Sequence, residues 1–328
     1  MSKQLSDNFG RKITYLRVAI TDRCNLRCKY CMPENGIQSI PHENVLTFEE
    51  HLRIIRLSSK FGVNKIRVTG GEPFVRKGII KFLRDVKQIS GIENIHITTN
   101  GISTSKFADV LNEIGISGIN LSLDTLDEQR FHKITRRDLF ANVWKSIQKI
   151  IELEIPLKIN AVIQNDFNTD EIIPLANLAK EYPIDVRFIE EMPFNGTGKF
   201  TSKPFTGKQI YQTLEEEYPD IEQILNNGST AKMYKIPEFT GKVGIIGAYS
   251  RTFCSACNRI RLTSTGMLKT CLYDDGILNL KDLLRSNASD SDIIREIQNS
   301  IGNRNKDGFV SESLKKTKNY NAMVNIGG

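Results

Sequence analysis

Six short Val- and Ile-rich runs stand in the first 190 residues, with segments of helical spacing between them. A chain with that alternation has few folds open to it. The runs fall at 15–20, 65–69, 94–99, 118–123, 157–163 and 185–189. They are nearly continuous rather than alternating, as in parallel strands covered on both faces. The segments between them have readable ends. Thr47-Phe48-Glu49-Glu50 reads as a capping box opening a helix that stops at Gly62. Residues 77–89 end near Gly91, 105–114 at Gly115 and 139–153 before Pro156, and Thr169 caps a stretch reaching about Tyr182. Six such units predict a doubly wound sheet or a barrel. Polar residues sit just past every strand: Thr21-Asp22-Arg23, Gly70-Gly71-Glu72, Thr99-Asn100, Asp124, Gln164-Asn165 and Glu190-Glu191. Barrels gather active-site groups from all their strand ends, whereas doubly wound sheets concentrate them at one switch point. The expectation is therefore an incomplete (β/α)6 barrel with an open side.

The first of these loops holds Cys24, Cys28 and Cys31, three thiols within eight residues. A tetrahedral zinc site or an ordinary cubane cluster wants four protein ligands. The four histidines, at 42, 51, 96 and 132, lie outside the loop. A zinc loop or unrelated buried cysteines stay open at this point; a four-iron cluster would have one iron free for a small molecule. CxxxCxxC after a first strand, with an aromatic residue before the last Cys, resembles the radical S-adenosylmethionine (SAM) superfamily. The resemblance implies that SAM chelates the open iron and is split by one electron. The resulting 5′-deoxyadenosyl radical would then abstract a substrate hydrogen. Gly70-Gly71-Glu72-Pro73 is by residue type a turn; in the superfamily it contacts the SAM amine.

The chain has 328 residues, 39% hydrophobic and 25% charged, which is ordinary for a soluble globular protein of about two domains. No apolar run approaches signal-peptide or membrane-span character. Six cysteines without a signal read as metal ligands in a reducing compartment, so the expected location is cytoplasmic. The net charge of +7 favours an anionic partner. Three units are expected: 1–195 as the barrel, 196–240 as a connection with a helix at 206–217, and 241–328 as a C-terminal region. Gly196-Thr197-Gly198-Lys199 fails as a phosphate loop, since Pro193 stands where its first Gly belongs and no Ser or Thr follows the Lys. Residues 32–46 and 287–320 look loosest, the latter mobile or trimmed.

The C-terminal region carries Cys254, Cys257 and Cys271. Two three-thiol sets consume all six cysteines, so a second cluster with its own open iron is the simplest reading. Together, TDRCNLRCKYCMP, GGEP, CxxC-N-R-x-R and the final Gly327-Gly328 resemble the GTP 3′,8-cyclase family, across nearly the whole chain. That resemblance implies conversion of GTP to 3′,8-cyclo-7,8-dihydroguanosine triphosphate, an early step of molybdenum cofactor biosynthesis. It implies two [4Fe-4S] clusters and SAM as cofactors, and a one-electron reductant and the next pathway enzyme as partners. A homodimer is possible; neither membrane nor nucleic acid is expected. By motif, Tyr30, Gly71, Ser122 and Met192 would contact SAM, while Arg17, Arg67, Thr98, Lys158, Arg259 and Arg261 would contact GTP. Arg17, Arg67 and Lys158 alternate with apolar neighbours and can point inward, where a cation needs an anion. The family's Gly-Gly end reaches into the active site. Two rivals are another two-cluster radical SAM enzyme acting on a peptide or tetrapyrrole, and a zinc-stabilised nucleic-acid-binding protein.

Overall fold

A computed structural model describes residues 4–38, 40–225, 230–315 and 322–327. Six strands, β1 (Tyr15–Ala19), β2 (Lys65–Thr69), β3 (Asn94–Thr99), β4 (Gly118–Ser122), β5 (Leu157–Ile163) and β6 (Asp185–Glu190), pair in parallel and in chain order. The later strands β7 (Glu222–Ile224), β8 (Lys232–Lys235), β9 (Lys242–Ile246), β10 (Arg259–Leu262), β11 (Met267–Lys269) and β12 (Leu278–Asn279) extend the same sheet. β9 pairs in parallel with β6, with β8 and β7 beyond it; β10 pairs in parallel with β1, followed by β11 and β12. The sheet thus runs unbroken through both expected unit boundaries, and its last strands lengthen the two open edges of a six-unit wall.

The helices that cover this wall are α1 (Phe48–Ser59), α2 (Ile79–Lys87), α3 (Ala108–Ile114), α4 (Glu128–Thr135), α5 (Phe140–Glu152) and α6 (Ile172–Glu181). They are followed by α7 (Gly207–Glu217), α8 (Leu280–Arg285), α9 (Asp290–Gly302), α10 (Gly308–Ser313) and α11 (Met323–Ile326). Both halves of the capping box at Thr47 and Glu50 are made, and α3 ends on left-handed Gly115. Asp127 caps α4, a helix the strand-helix pattern did not predict. Thr169 opens a single 3₁₀ turn, and α6 begins only at Ile172.

The helices cover one face of the sheet and the other lines a cavity, and β2, β3, β4 and β6 stay buried along nearly their whole length, as the near-continuous runs predict. β5 departs from that, with buried and half-buried residues alternating along its length. Leu16, Val18, Ile66 and Val68 are fully buried in the core, while Arg17 and Arg67 take the opposite face. A second correction concerns 287–320, where α9 and α10 are ordered and Arg304 between them is buried. Residues 316–320 lie outside those described. The 32–46 stretch is tied down as well, by Ile40 N donating to Asp22 and Leu46 N to the Ser264 carbonyl.

Candidate active site

The cysteine loop after β1 is held from three sides. The amides of Arg27 and Lys29 donate to the carbonyls of Thr135 and Ile134, both at 3.0 Å. These are end carbonyls that α4 leaves without partners of its own. Gly70 and Gly71 lie against the backbone just ahead of the thiols: a Cβ on Gly71 would stand 2.2 Å from the Arg23 carbonyl oxygen. The amides of Gly71 and Glu72 donate to Thr21 and Arg23 carbonyls at 2.8 Å. Paired glycines are therefore needed here for backbone packing, whatever else they bind. Glu72, fully buried, accepts from the Thr99 hydroxyl and the Phe74 and Asn100 amides. Burial pushes its carboxyl up to about 7 against those bonds. Asn100 in turn donates to Asn25 at 2.7 Å and approaches Cys24 Sγ at 3.7 Å.

Cys24, Cys28 and Cys31 line one cavity of about 540 Å³ together with Cys254, Cys257 and Cys271. Burial, then the neighbouring thiols Cys31 and Cys24 and the Asp124 carboxyl, pushes Cys28 far up. Burial raises Cys24 to about 11 and, with help from Cys24, Cys31 to about 12. Three half-buried thiols held above the usual range suit a cationic centre, which deprotonates its thiols outright. In the second set, burial pushes Cys257 up, but Arg259 and Arg304 overcome it and bring the thiol down to about 6. Cys271 is placed by the buried Asp274, which accepts from its amide at 2.7 Å and from Thr270 N at 2.9 Å. Among the described residues no three His, Cys, Asp or Glu side chains converge as a single ion requires.

The sheet wall between the two thiol sets is cationic. Strand register aligns Arg261, Arg17, Arg67 and His96 across β10, β1, β2 and β3, with Arg259, Tyr15 and Lys65 level with one another two residues earlier. Like charges opposite one another destabilise a sheet. Burial, then Arg261, pushes Arg17 well below the usual arginine range, and its Nε has no partner. Burial, then Arg259, lowers Arg261 to about 10. Burial, then Arg67, lowers Arg187 to about 10 and His96 to about 3, so this histidine is neutral. Arg67 donates to the Tyr15 hydroxyl and reaches Thr98 Oγ1 at 3.4 Å. Among the described residues, only Lys158 of the wall cations is ion-paired, to Asp185.

All the residues expected to contact SAM and GTP line this cavity. Tyr30 donates to Asp124 at 2.8 Å, with Ser122 and Met192 on the same lining. Sequence reasoning missed Lys65, His96, Arg187 and Arg304. Lys65 was legible, standing two before Arg67 on an extended strand as Arg259 stands before Arg261. Gly244 opposite Arg187 leaves room for its stem, a Cβ there falling 3.0 Å from Arg187 Cγ. The segment 322–327 also enters: Met323 N donates to Phe194 O at 2.7 Å and Cys31 O at 3.2 Å. The Gly327 carbonyl accepts from Arg261 at 3.3 Å and Arg17 at 3.5 Å; Gly328 lies outside the described residues.

A half-open parallel wall carrying three cysteines on its first loop defines a radical SAM protein. Residues 18–179 match the Radical SAM superfamily and 184–310 match Molybdenum Cofactor Synthesis C. The fold is similar to that of Streptococcus suis SuiB, with TM-score 0.65 and 16% identity over 92% of this chain and 73% of that one. SuiB bound to S-adenosylmethionine gives 0.63 and 17% over 87% and 68%. Identity to the GTP 3′,8-cyclase of Clostridium perfringens (strain 13) is 41% over 331 residues, 99% of this chain and all of that protein. For the GTP 3′,8-cyclase of Desulforamulus reducens it is 39%, over 98% and 99%. Human molybdenum cofactor biosynthesis protein 1 is 40% identical over 96% of this chain but 50% of its own length. The chain thus spans about half the length of the animal relatives it matches. The chain belongs to the GTP 3′,8-cyclase family of radical SAM proteins.

Proposed function

We propose that the protein converts GTP into its 3′,8-cyclised dihydro form, early in molybdenum cofactor biosynthesis. The observation that carries this reading is one cavity with a thiol set toward each end of the strands and a largely unpaired cation row between them. Cys24, Cys28 and Cys31 would hold a four-iron cluster, and Cys254, Cys257 and Cys271 a second. Bound cluster and SAM supply one-electron cleavage and a hydrogen-atom acceptor. Tyr30, Gly71, Ser122 and Met192 lie where SAM would be held against the first set. Arg17, Arg67, Thr98, Lys158, Arg259 and Arg261, joined by Lys65, Arg187 and neutral His96, would take the triphosphate. Up to four phosphate charges would relieve the repulsion that the wall carries alone. The purine would then lie toward the second thiol set. The chemistry removes one hydrogen from ribose C3′, joins C3′ to C8, and returns one electron and one proton to the base. The product is thus an isomer of GTP, and an external one-electron reductant is required.

The three expected units divide these tasks: the barrel takes SAM, 196–240 extends the wall and 241–328 brings the second thiol set. No helix among the described residues is long and apolar enough to cross a membrane. A cytoplasmic location, a homodimer and hand-over to the next pathway enzyme belong to the same reading.

Anaerobically reconstituted protein should bind about eight irons and eight sulfides per chain. With GTP, SAM and a strong reductant it should yield a GTP isomer resolved by liquid chromatography and mass spectrometry. Cys28→Ala should abolish SAM cleavage, whereas Cys257→Ala should retain uncoupled cleavage without cyclisation. Full cyclisation by either variant would overturn the assignment.

A further inference from the structure

Arg304 stands between α9 and α10, and no step of the proposed reaction uses it. The residue is nonetheless 4% exposed, and its side chain reaches the second cysteine set. Nη1 donates to the Cys257 carbonyl at 2.8 Å, and Nη2 donates to Cys257 Sγ at 3.0 Å. Asp7, whose side chain is fully buried, lies 3.6 Å from Nη1. Asp7 is itself locked, accepting from the amides of Phe9 and Arg11 and from Arg11 Nε. Arg11 also donates to the carbonyls of Cys254, Asn305 and Lys306. One buried carboxylate therefore orients two arginines, and each grips the backbone of one cysteine of the CxxC turn.

A second cation touches the same sulfur, with Arg259 Nη2 at 3.3 Å from Cys257 Sγ. The two differ in freedom. Arg259 belongs to the cation row, is half-buried and faces the cavity, so an arriving triphosphate competes for its guanidinium. Arg304 is bound to a carboxylate, a carbonyl and a sulfur at once and has no comparable alternative. A planar fork with several donors suits that three-way bridge; a lysine ammonium does not reproduce it.

We propose that Arg304 is a positioning residue for the second iron–sulfur centre, fixing Cys257 and keeping a permanent positive charge against its sulfur while Arg259 turns to substrate phosphate. This rests on the reading that Cys254, Cys257 and Cys271 hold such a centre. Hydrogen bonds to ligand sulfurs and nearby charge set cluster potentials. A fixed cation stabilises the more negative, reduced form, so Arg304 holds the potential up. By bracing a ligand it also slows loss of iron, as outer partners of metal ligands generally do.

The test compares unaltered protein with Arg304→Met and Arg304→Lys, all full-length and anaerobically reconstituted. Iron and sulfide are counted, the two centres are followed by electron paramagnetic resonance during a reductive titration, and iron loss to a chelator is timed. SAM cleavage, which depends on the first centre, serves as the folding control. Arg304→Met is expected to keep uncoupled SAM cleavage. Its second centre should titrate at a more negative potential and lose iron roughly ten-fold faster. Arg304→Lys should recover most of the potential but not the retention of iron. If the Met variant does not fold, the Lys variant decides, and normal iron retention in it overturns the proposal. About eight irons with an unchanged second-centre potential and iron loss in Arg304→Met overturns the proposal alone. About four irons in the unaltered protein overturns the two-cluster reading and the proposal together.

Discussion

Arg17 shows what a single residue can reveal about a missing partner. Arg17 is half-buried, its enclosed Nε is unpartnered, and its cross-strand neighbours are Arg67 and Arg261. A folded protein tolerates such a group where a ligand neutralises it, because an unpaired buried charge otherwise costs several kcal/mol. Arg17→Ala and Arg261→Ala should each weaken GTP binding about ten-fold or more, the worth of a lost charge-assisted hydrogen bond of roughly 1.5–3 kcal/mol. Thermal denaturation without nucleotide should show no matching loss, since each change also removes a repelling cation. Normal GTP affinity in both variants, by calorimetry, would remove the phosphate reading. Lys158 is the contrasting case, because Asp185 already neutralises it, so its alanine variant should lose less affinity than Arg17→Ala.

Among the elements, α4 and the Gly70-Gly71 turn do the most to shape the thiol loop. α4 went unpredicted because the strand-helix rhythm places one helix between β4 and β5, and α5 satisfies it. Its marks were nevertheless present: Asp127 as the cap, with Phe131 and Ile134 at helical spacing on the buried face. Asp127→Ala should cost about 1 kcal/mol of stability, with accelerated iron loss from the first centre as Arg27 and Lys29 lose a firm anchor. Unchanged iron retention alongside a lowered melting temperature would show that α4 does not brace the loop. Gly71→Ala is the sharper probe, since its Cβ meets backbone rather than a side chain that can swing away. Overpacking of that kind costs roughly 1–3 kcal/mol. Reconstitution of the first centre should fail before that of the second, read as two separate resonance signals.

At the scale of the whole molecule, residues far apart in the chain meet in one cavity. β10 aligns on β1 across more than two hundred residues of sequence, and the segment 322–327 threads between the Cys31 loop and the Phe194 turn to reach Arg17 and Arg261. Gly327 sits at φ 83°, and a Cβ on it would stand 2.8 Å from Ala19 Cβ. Gly327→Ala should therefore displace this segment from the arginines. Cyclisation should fall at least about ten-fold, the effect of roughly 1.4 kcal/mol on the barrier, while iron content and SAM cleavage stay normal. Cyclisation at the usual rate would show that the segment only fills space.

The sequence alone determined what depends on neighbours along the chain. Strand and helix order follow from apolar runs and caps such as Thr47, the first thiol set from three cysteines in one loop, and the inward aim of Arg17, Arg67, Arg259 and Arg261 from the two-residue period of a strand. Tertiary structure decided what depends on register and sheet closure. Which cations share a level, that Gly71 packs on Arg23, and that C-terminal strands extend both edges of the wall are set by long-range pairing, which leaves no local pattern. Arg304 belongs to that second group. It stands in a polar stretch that reads as loose, and it is buried because Asp7, about three hundred residues away along the chain, and Cys257, 47 residues away, close around its guanidinium and satisfy it.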